Sequence, residues 1–264
     1  MFGDAIAYER YMGRWSRLVA PLLVDFADIP DEGSVLDVGS GTGCLSFAIA
    51  GLKPHCQVTG IDLSKEYVAY AGSRTTPGAR VSFEAGDAQR LRFGPASFHS
   101  ALSLLVLNFV PDPARAAAEM VRVTRPGGVV AAAVWDYGEG MRMLRVFWDA
   151  AASVDSQAAV LDENRMALCR RGELSALWHK AGVTKVEERA LEITMRFTNF
   201  ADYWDPFLLG QGPAGAYARR AQGAGAERLR NEVKRRLGIS GEEAPFELPA
   251  RVWAVRGAVP KAVR

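Results

Sequence analysis

The sequence predicts an α/β protein: a mostly parallel sheet, doubly wound, with helices on both faces. Strand-like apolar segments recur at 35–38, 57–62, 81–85, 98–105 and 129–135. Helical patterns follow the first, second and fourth of them, at 42–51, 64–73 and 113–123. Strands that alternate with helices pair in parallel and are buried on both faces. The first strand also runs through Gly39, Gly41 and Gly43 straight into a helix. Such a turn lets a ligand approach the main chain closely, beside unpaired helix-start N–H groups.

The remaining elements follow in order. Residues 4–27 read as helix, because Tyr8, Tyr11, Met12, Trp15, Val19, Leu22 and Phe26 recur at three- and four-residue spacing. Pro21 is expected to split this segment in two. A loop over 29–34 leads to the first strand, and Gly127-Gly128 makes a tight turn before the fifth. Beyond Trp135 the rhythm changes: helices are expected at 141–153 and 172–181, and a strand at 183–194. A long interruption, 197–238, is rich in aromatics, glycine and arginine, and 246–256 returns to a strand pattern.

Composition narrows the function. The chain has 264 residues, 49% hydrophobic and 23% charged, which is ordinary for a soluble globular protein. A net charge of +2 is too small to argue for a nucleic-acid or membrane partner. The basic run from Arg219 to Arg236 reads as a solvated amphipathic helix, since no aromatic residues for base stacking are interleaved. Cys44, Cys56 and Cys169 form no CxxC pair and suit a reducing, cytoplasmic compartment. No signal peptide and no apolar run of membrane length is read. His55, His99 and His179 read as structural or surface residues, and no cluster has metal spacing, so no metal is expected.

The glycine turn discriminates among cofactors. No lysine follows Gly43 as a phosphate-binding P-loop requires. A nicotinamide fingerprint needs glycine at 44 or 46, where Cys44 and Ser46 stand. The observed form is DxGxGxG, from Asp37 to Gly43. Asp62 closes the second strand, Gly86-Asp87-Ala88 follow the third, Ser103-Leu104-Leu105 and Asn108 follow the fourth, and Arg125-Pro126-Gly127-Gly128 precede the fifth. In this order the features resemble the class I S-adenosylmethionine (SAM)-dependent methyltransferases. Tyr8–Arg17, 203–215 and 250–257 are similar to a bacterial, UbiE-like small-molecule branch of them.

The resemblance implies a seven-stranded sheet of order 3-2-1-4-5-7-6 with the seventh strand antiparallel. It implies one domain over 1–264, with core 30–195 and 245–257 and a cap of 1–28 and 197–240. It also implies SAM as cofactor, S-adenosylhomocysteine as product, and no metal. Asp37, Gly39, Gly41 and Gly43 would hold the methionine end, Asp37 either meeting the ligand or ordering the loop. Asp62, with the adjoining Leu63, would hold the ribose. Gly86, Asp87 and Ala88 would face the adenine, with Gln89 an alternative acceptor. Ser103, Leu104 and Asn108 complete the cofactor set. Arg14 would pair with the SAM carboxylate, with Arg10 and Arg17 as competitors. Tyr11, Trp15, Trp135, Tyr203 and Trp204 are candidates for the acceptor pocket. No catalytic residue is assigned; Asp136, Tyr137 and Tyr11 are the nearest candidates for a base. The expected reaction is methyl transfer to a small molecule through proximity and orientation. A nucleic-acid or protein methyltransferase, or a SAM-binding protein without transfer, are the alternatives. No motif of the [DN]PP[YFW] kind follows the fourth strand, where Asn108-Phe109-Val110-Pro111 stands.

Overall fold

A computed structural model describes residues 4–221, 223–239 and 241–261. The first three residues of the expected cap, and the last three of the chain, therefore lie outside the described residues. Helix α1 (Ala5–Tyr8) is capped by Asp4, whose carboxylate accepts from Ala7 N at 2.9 Å. A π-helical turn, Glu9–Gly13, joins it to α2 (Arg14–Ala27). Pro21 does not split the segment: it lies inside α2, and the break comes at the π-turn instead. The carbonyl that Pro21 leaves without an N–H partner belongs to exposed Arg17, where water can satisfy it.

The alternating core follows: β1 (Glu32–Val38), α3 (Cys44–Leu52), β2 (His55–Asp62), α4 (Lys65–Ser73), β3 (Val81–Ala85), β4 (Phe98–Leu104), α5 (Pro113–Val123) and β5 (Thr124–Trp135). Helices start where their caps stand: Ser64 caps α4, and Asp112 caps α5 just before Pro113. Then come α6 (Arg142–Val154), α7 (Glu173–Lys180), β6 (Thr184–Phe197), the inserted helices α8 (Phe200–Leu208), α9 (Gly212–Arg220) and α10 (Gly223–Leu237), and β7 (Phe246–Ala258).

The seven strands form one sheet in the order β3-β2-β1-β4-β5-β7-β6, as the resemblance implied. β1 to β5 pair in parallel, and β7 runs antiparallel between β5 and β6. Gly127-Gly128 is not a turn before β5 but an irregularity within it, where the β4 register shifts between Phe98 and Ser100. A Cβ on Gly128 would stand 2.4 Å from the His99 carbonyl oxygen, so only glycine permits this approach of the two strands.

Two apolar layers sandwich the sheet. Leu36, Val38, Ala132 and Val134 face α5 and α7. Val35, Ala131, Ala133 and Trp135 face α2, α3, α6 and the inserted helices. The insertion is anchored by aromatic stacking of Phe207 on Phe147 at 4.5 Å and by the buried Tyr203 hydroxyl, which donates to the Met143 carbonyl at 2.8 Å.

Candidate cofactor and acceptor site

The carboxyl ends of β1, β2, β3, β4 and β5 open on one cavity of about 550 Å³. This is where open α/β sheets bind ligands. The glycine turn sits at its centre. Gly39 and Ser40 N–H groups donate to the Ile61 carbonyl at 2.8 and 2.7 Å, tying the turn to β2. Gly39 has φ +75°, and a Cβ there would fall 2.4 Å from Val106, so the turn needs glycine on both counts. Asp62 ties the turn from the other side: one carboxylate oxygen accepts from Gly41 N, the other from Ser64 N, each at 2.8 Å. Each oxygen can accept a further hydrogen bond, and Asp62 lines the cavity.

Asp37 is almost wholly buried. Its Oδ2 accepts from the Ser46 hydroxyl at 2.6 Å, and its Oδ1 has no partner. Burial pushes its carboxyl up to about 7, against the bonds from Ser46 that hold it down. Beyond β3, Asp87 and Gln89 pair through Gln89 N at 2.8 Å and Gln89 Nε2 at 3.2 Å. Gly86, Asp87, Ala88 and Gln89 line the cavity together. Leu104 and Leu105 line it at the end of β4, with Leu105 held at φ +62°. Leu63 is 78% exposed and forms part of the mouth.

One wall comes from the N-terminal helices, where Tyr8, Met12 and Ser16 follow at four-residue spacing. Tyr8 lies 5.5 Å from Tyr67, and burial pushes its hydroxyl up to about 12. Glu9, in the π-turn, accepts from the Thr42 hydroxyl of the glycine turn and meets Arg17 at 3.0 Å. The lining also includes the apolar side chains of Phe109, Val110, Trp135 and Tyr137. Behind Tyr137, Glu163 is buried; it accepts from the Trp148 indole and from Ala214 N, and burial pushes it up to about 7.

Asp37, Gly39, Gly41, Asp62, Leu63, Gly86, Asp87, Ala88, Leu104 and Trp135 thus converge on the cavity. Other expected residues stand outside this lining. Arg14 points away: its guanidinium grips Asp202 at 2.5 and 3.0 Å and lies over the Trp15 ring at 4.1 Å. With Arg10 and Arg17 it lines a separate surface groove. Tyr11 and Trp15 face the insertion, on Phe207 at 5.2 Å and Phe197 at 5.1 Å. Tyr203 and Trp204 form a second layer behind the wall, buried with Phe200 and Phe207. Ser103 is consumed in holding β4 to β1, its hydroxyl donating to the Val38 carbonyl at 2.8 Å. Asn108 meets the Met166 sulfur at 3.9 Å outside the lining, and Gly43 stands behind the turn between Phe47 and Phe83. Of the base candidates, Asp136 is engaged by Arg251 at 2.6 Å, and burial drives the Tyr137 and Tyr11 hydroxyls well up.

The sequence reading missed Met12, Ser16, Tyr67, Val106 and Glu163. The signal for the first two was present: Tyr8, Met12 and Ser16 share a helical face, distinct from that of Tyr11 and Trp15.

The lining suits SAM. The unpartnered Asp37 oxygen can meet an ammonium group, Asp62 can accept hydroxyls, and Asp87 with Gln89 can accept an amine. Among the described residues no group of acids, histidines and cysteines could hold a metal.

Residues 36–132 match a family model described as a methyltransferase domain. An O-methyltransferase, cnsE, of Penicillium expansum is 40% identical over 41% of this chain and 41% of its own length. A 2-methyl-6-phytyl-1,4-hydroquinone methyltransferase of Synechocystis is 34% identical over 46% of this chain and 38% of its own. The chain thus spans about two fifths of the length of these curated relatives. The YcgJ protein of Bacillus subtilis shares the fold, with a TM-score of 0.60 at 17% identity, over 94% of this chain and 100% of that one. Residues 36–132 thus carry the sequence pattern of a methyltransferase domain, and the strand order is the one the resemblance implied.

Proposed function

We propose that the protein transfers a methyl group from SAM to a small-molecule acceptor. The observation that carries this reading is one cavity whose lining combines three acids, Asp37, Asp62 and Asp87, with the glycine turn and with the apolar side chains of Phe109, Val110, Trp135 and Tyr137. SAM supplies an electrophilic methyl on a sulfonium, so the protein has chiefly to align the acceptor and exclude water. Asp37 and the glycine turn would hold the methionine end, Asp62 the ribose, and Asp87 with Gln89 the adenine. Trp135, Tyr137, Phe109 and Val110 would shape the acceptor end and keep it dry.

The acceptor end offers no ready base. The Tyr137 hydroxyl is held protonated by burial, and Asp136 is occupied by Arg251. This favours acceptors whose reacting atom is already nucleophilic: an amine, a phenolate or an enolic carbon. A concave site of this size favours a small acceptor over a nucleic-acid base or a protein side chain.

The test is release of S-adenosylhomocysteine on a panel of phenols, hydroquinones, amines and carboxylic acids. Turnover on an apolar amine, phenol or hydroquinone supports the reading. SAM binding without turnover on any acceptor would move the protein to the non-transferring class. Turnover confined to RNA or protein would move it to the macromolecular one.

A further inference from the structure

A second groove lies on the same edge of the sheet. It has a volume of about 500 Å³ and is lined by Asp136, Glu139, Asn164, Trp253 and four arginines: Arg165, Arg170, Arg171 and Arg251. Only Arg251 is neutralised. Its Nε and Nη2 both donate to Asp136 Oδ2, at 2.8 and 2.6 Å, and Glu139, 89% exposed, stands 3.8 Å away. Among the described residues no carboxylate forms an ion pair with Arg165, Arg170 or Arg171. Trp253, half-buried in β7 against the apolar layer that faces α7, packs among them: the Arg251 guanidinium lies 5.0 Å and that of Arg171 6.0 Å from its ring. Its indole Nε1, a buried donor, has no acceptor.

The groove shares a wall with the acceptor end of the main cavity. Tyr137 lines the cavity and its neighbour Asp136 the groove. Asn164 and Arg165 line the groove, while two residues away Met166 meets Asn108 beside the cavity residue Phe109.

We propose that this groove binds the phosphate-bearing end of the methyl acceptor, an inference that rests on the methyltransferase reading above. Three uncompensated guanidiniums match a group carrying two or more negative charges better than a single carboxylate. Their planar forks offer paired N–H donors to phosphoryl oxygens, and the unpartnered N–H of Trp253 stands among them as a further donor. The size fits a small phosphorylated molecule. A nucleic-acid strand fits less well, because the one indole available for base stacking already packs against two guanidiniums.

The experiment uses inorganic pyrophosphate as probe. Calorimetry at low salt compares the wild type with the double variant Arg165→Glu, Arg171→Glu, and with Trp253→Phe, each also titrated with SAM. The substituted arginines are exposed, so folding is expected to survive. Pyrophosphate is expected to bind the wild type and to bind the double variant at least about tenfold more weakly. Trp253→Phe is expected to lose a few-fold, and SAM affinity to be unchanged throughout. In the release assay, phosphomonoesters of amines and phenols are expected to show lower KM than the unphosphorylated compounds, and this gap is expected to close in the double variant. Absent or variant-independent pyrophosphate binding, with SAM binding intact, would overturn the groove assignment alone. So would a preference of this face for a single-stranded oligonucleotide over pyrophosphate, or equal KM for the paired acceptors. Failure of SAM to bind the wild type would instead overturn the methyltransferase reading.

Discussion

Asp62 accepts backbone N–H groups from both Gly41 and Ser64, so it shapes the glycine turn as well as facing the cavity. Replacing it with alanine removes two charge-assisted bonds and leaves both donors unpaired. The expected cost is about 1–3 kcal/mol of stability and at least about tenfold in SAM affinity, read by thermal unfolding and calorimetry. Asp37 yields a second prediction. Burial raises its carboxyl to about 7. The folded state therefore binds this proton more tightly than the unfolded chain, and its contribution to stability falls as pH rises from about 4 to about 7. Denaturant unfolding across that range is expected to show a shallower decline in Asp37→Asn than in the wild type. A cationic ligand prefers the ionised form, so SAM affinity is expected to rise between pH 6 and 8 in the wild type and to stay flat in Asp37→Asn. Glu163, also raised to about 7, stays in both proteins and cancels in the comparison. The acids were legible in the sequence because they close strands beside a glycine turn. Arg14 was misplaced because a lone helical arginine gives no sign of which carboxylate it will find, and Asp202 lies far along the chain.

Among the elements, the π-turn Glu9–Gly13 brings the N-terminal helices onto the cofactor turn. A Cβ on Gly13 would lie 2.7 Å from the Glu9 carboxyl carbon, so Gly13→Ala would push that flexible side chain off Thr42 without unfolding the helix. A loss of several-fold in SAM affinity with a small change in Tm is expected, and calorimetry beside a thermal melt separates the two. Tyr203→Phe provides the contrast. It removes the bond to the Met143 carbonyl, is expected to cost about 1 kcal/mol, and leaves SAM affinity unchanged because Tyr203 lies behind the wall. The core strands and their helices could be read from periodicity, since both faces of the sheet are buried. The π-turn could not, because one extra residue in a helical turn leaves no mark on composition. Pro21 lies inside α2 without breaking it, and the residue whose carbonyl it leaves without an N–H partner, Arg17, is exposed.

At the scale of the molecule, the inserted helices do not form the cavity wall. They pack onto α6 and Tyr11, and α8 holds Arg14 through Asp202, fixing the N-terminal helices whose Tyr8, Met12 and Ser16 do. The resemblance read from the sequence grouped 1–28 and 197–240 as a cap. It could not show which layer touches the ligand, because aromatic stripes of core and pocket have the same spacing. The cavity is therefore walled by the strand ends of the regular core and by N-terminal helices that the less regular inserted segment holds in place. The most direct test of this account is calorimetric titration of the wild type and Asp62→Ala with SAM and S-adenosylhomocysteine. The account predicts one site per chain for both ligands in the wild type, weakened at least about tenfold in the variant. Absence of binding to the wild type, or equal affinity in the two proteins, would contradict it.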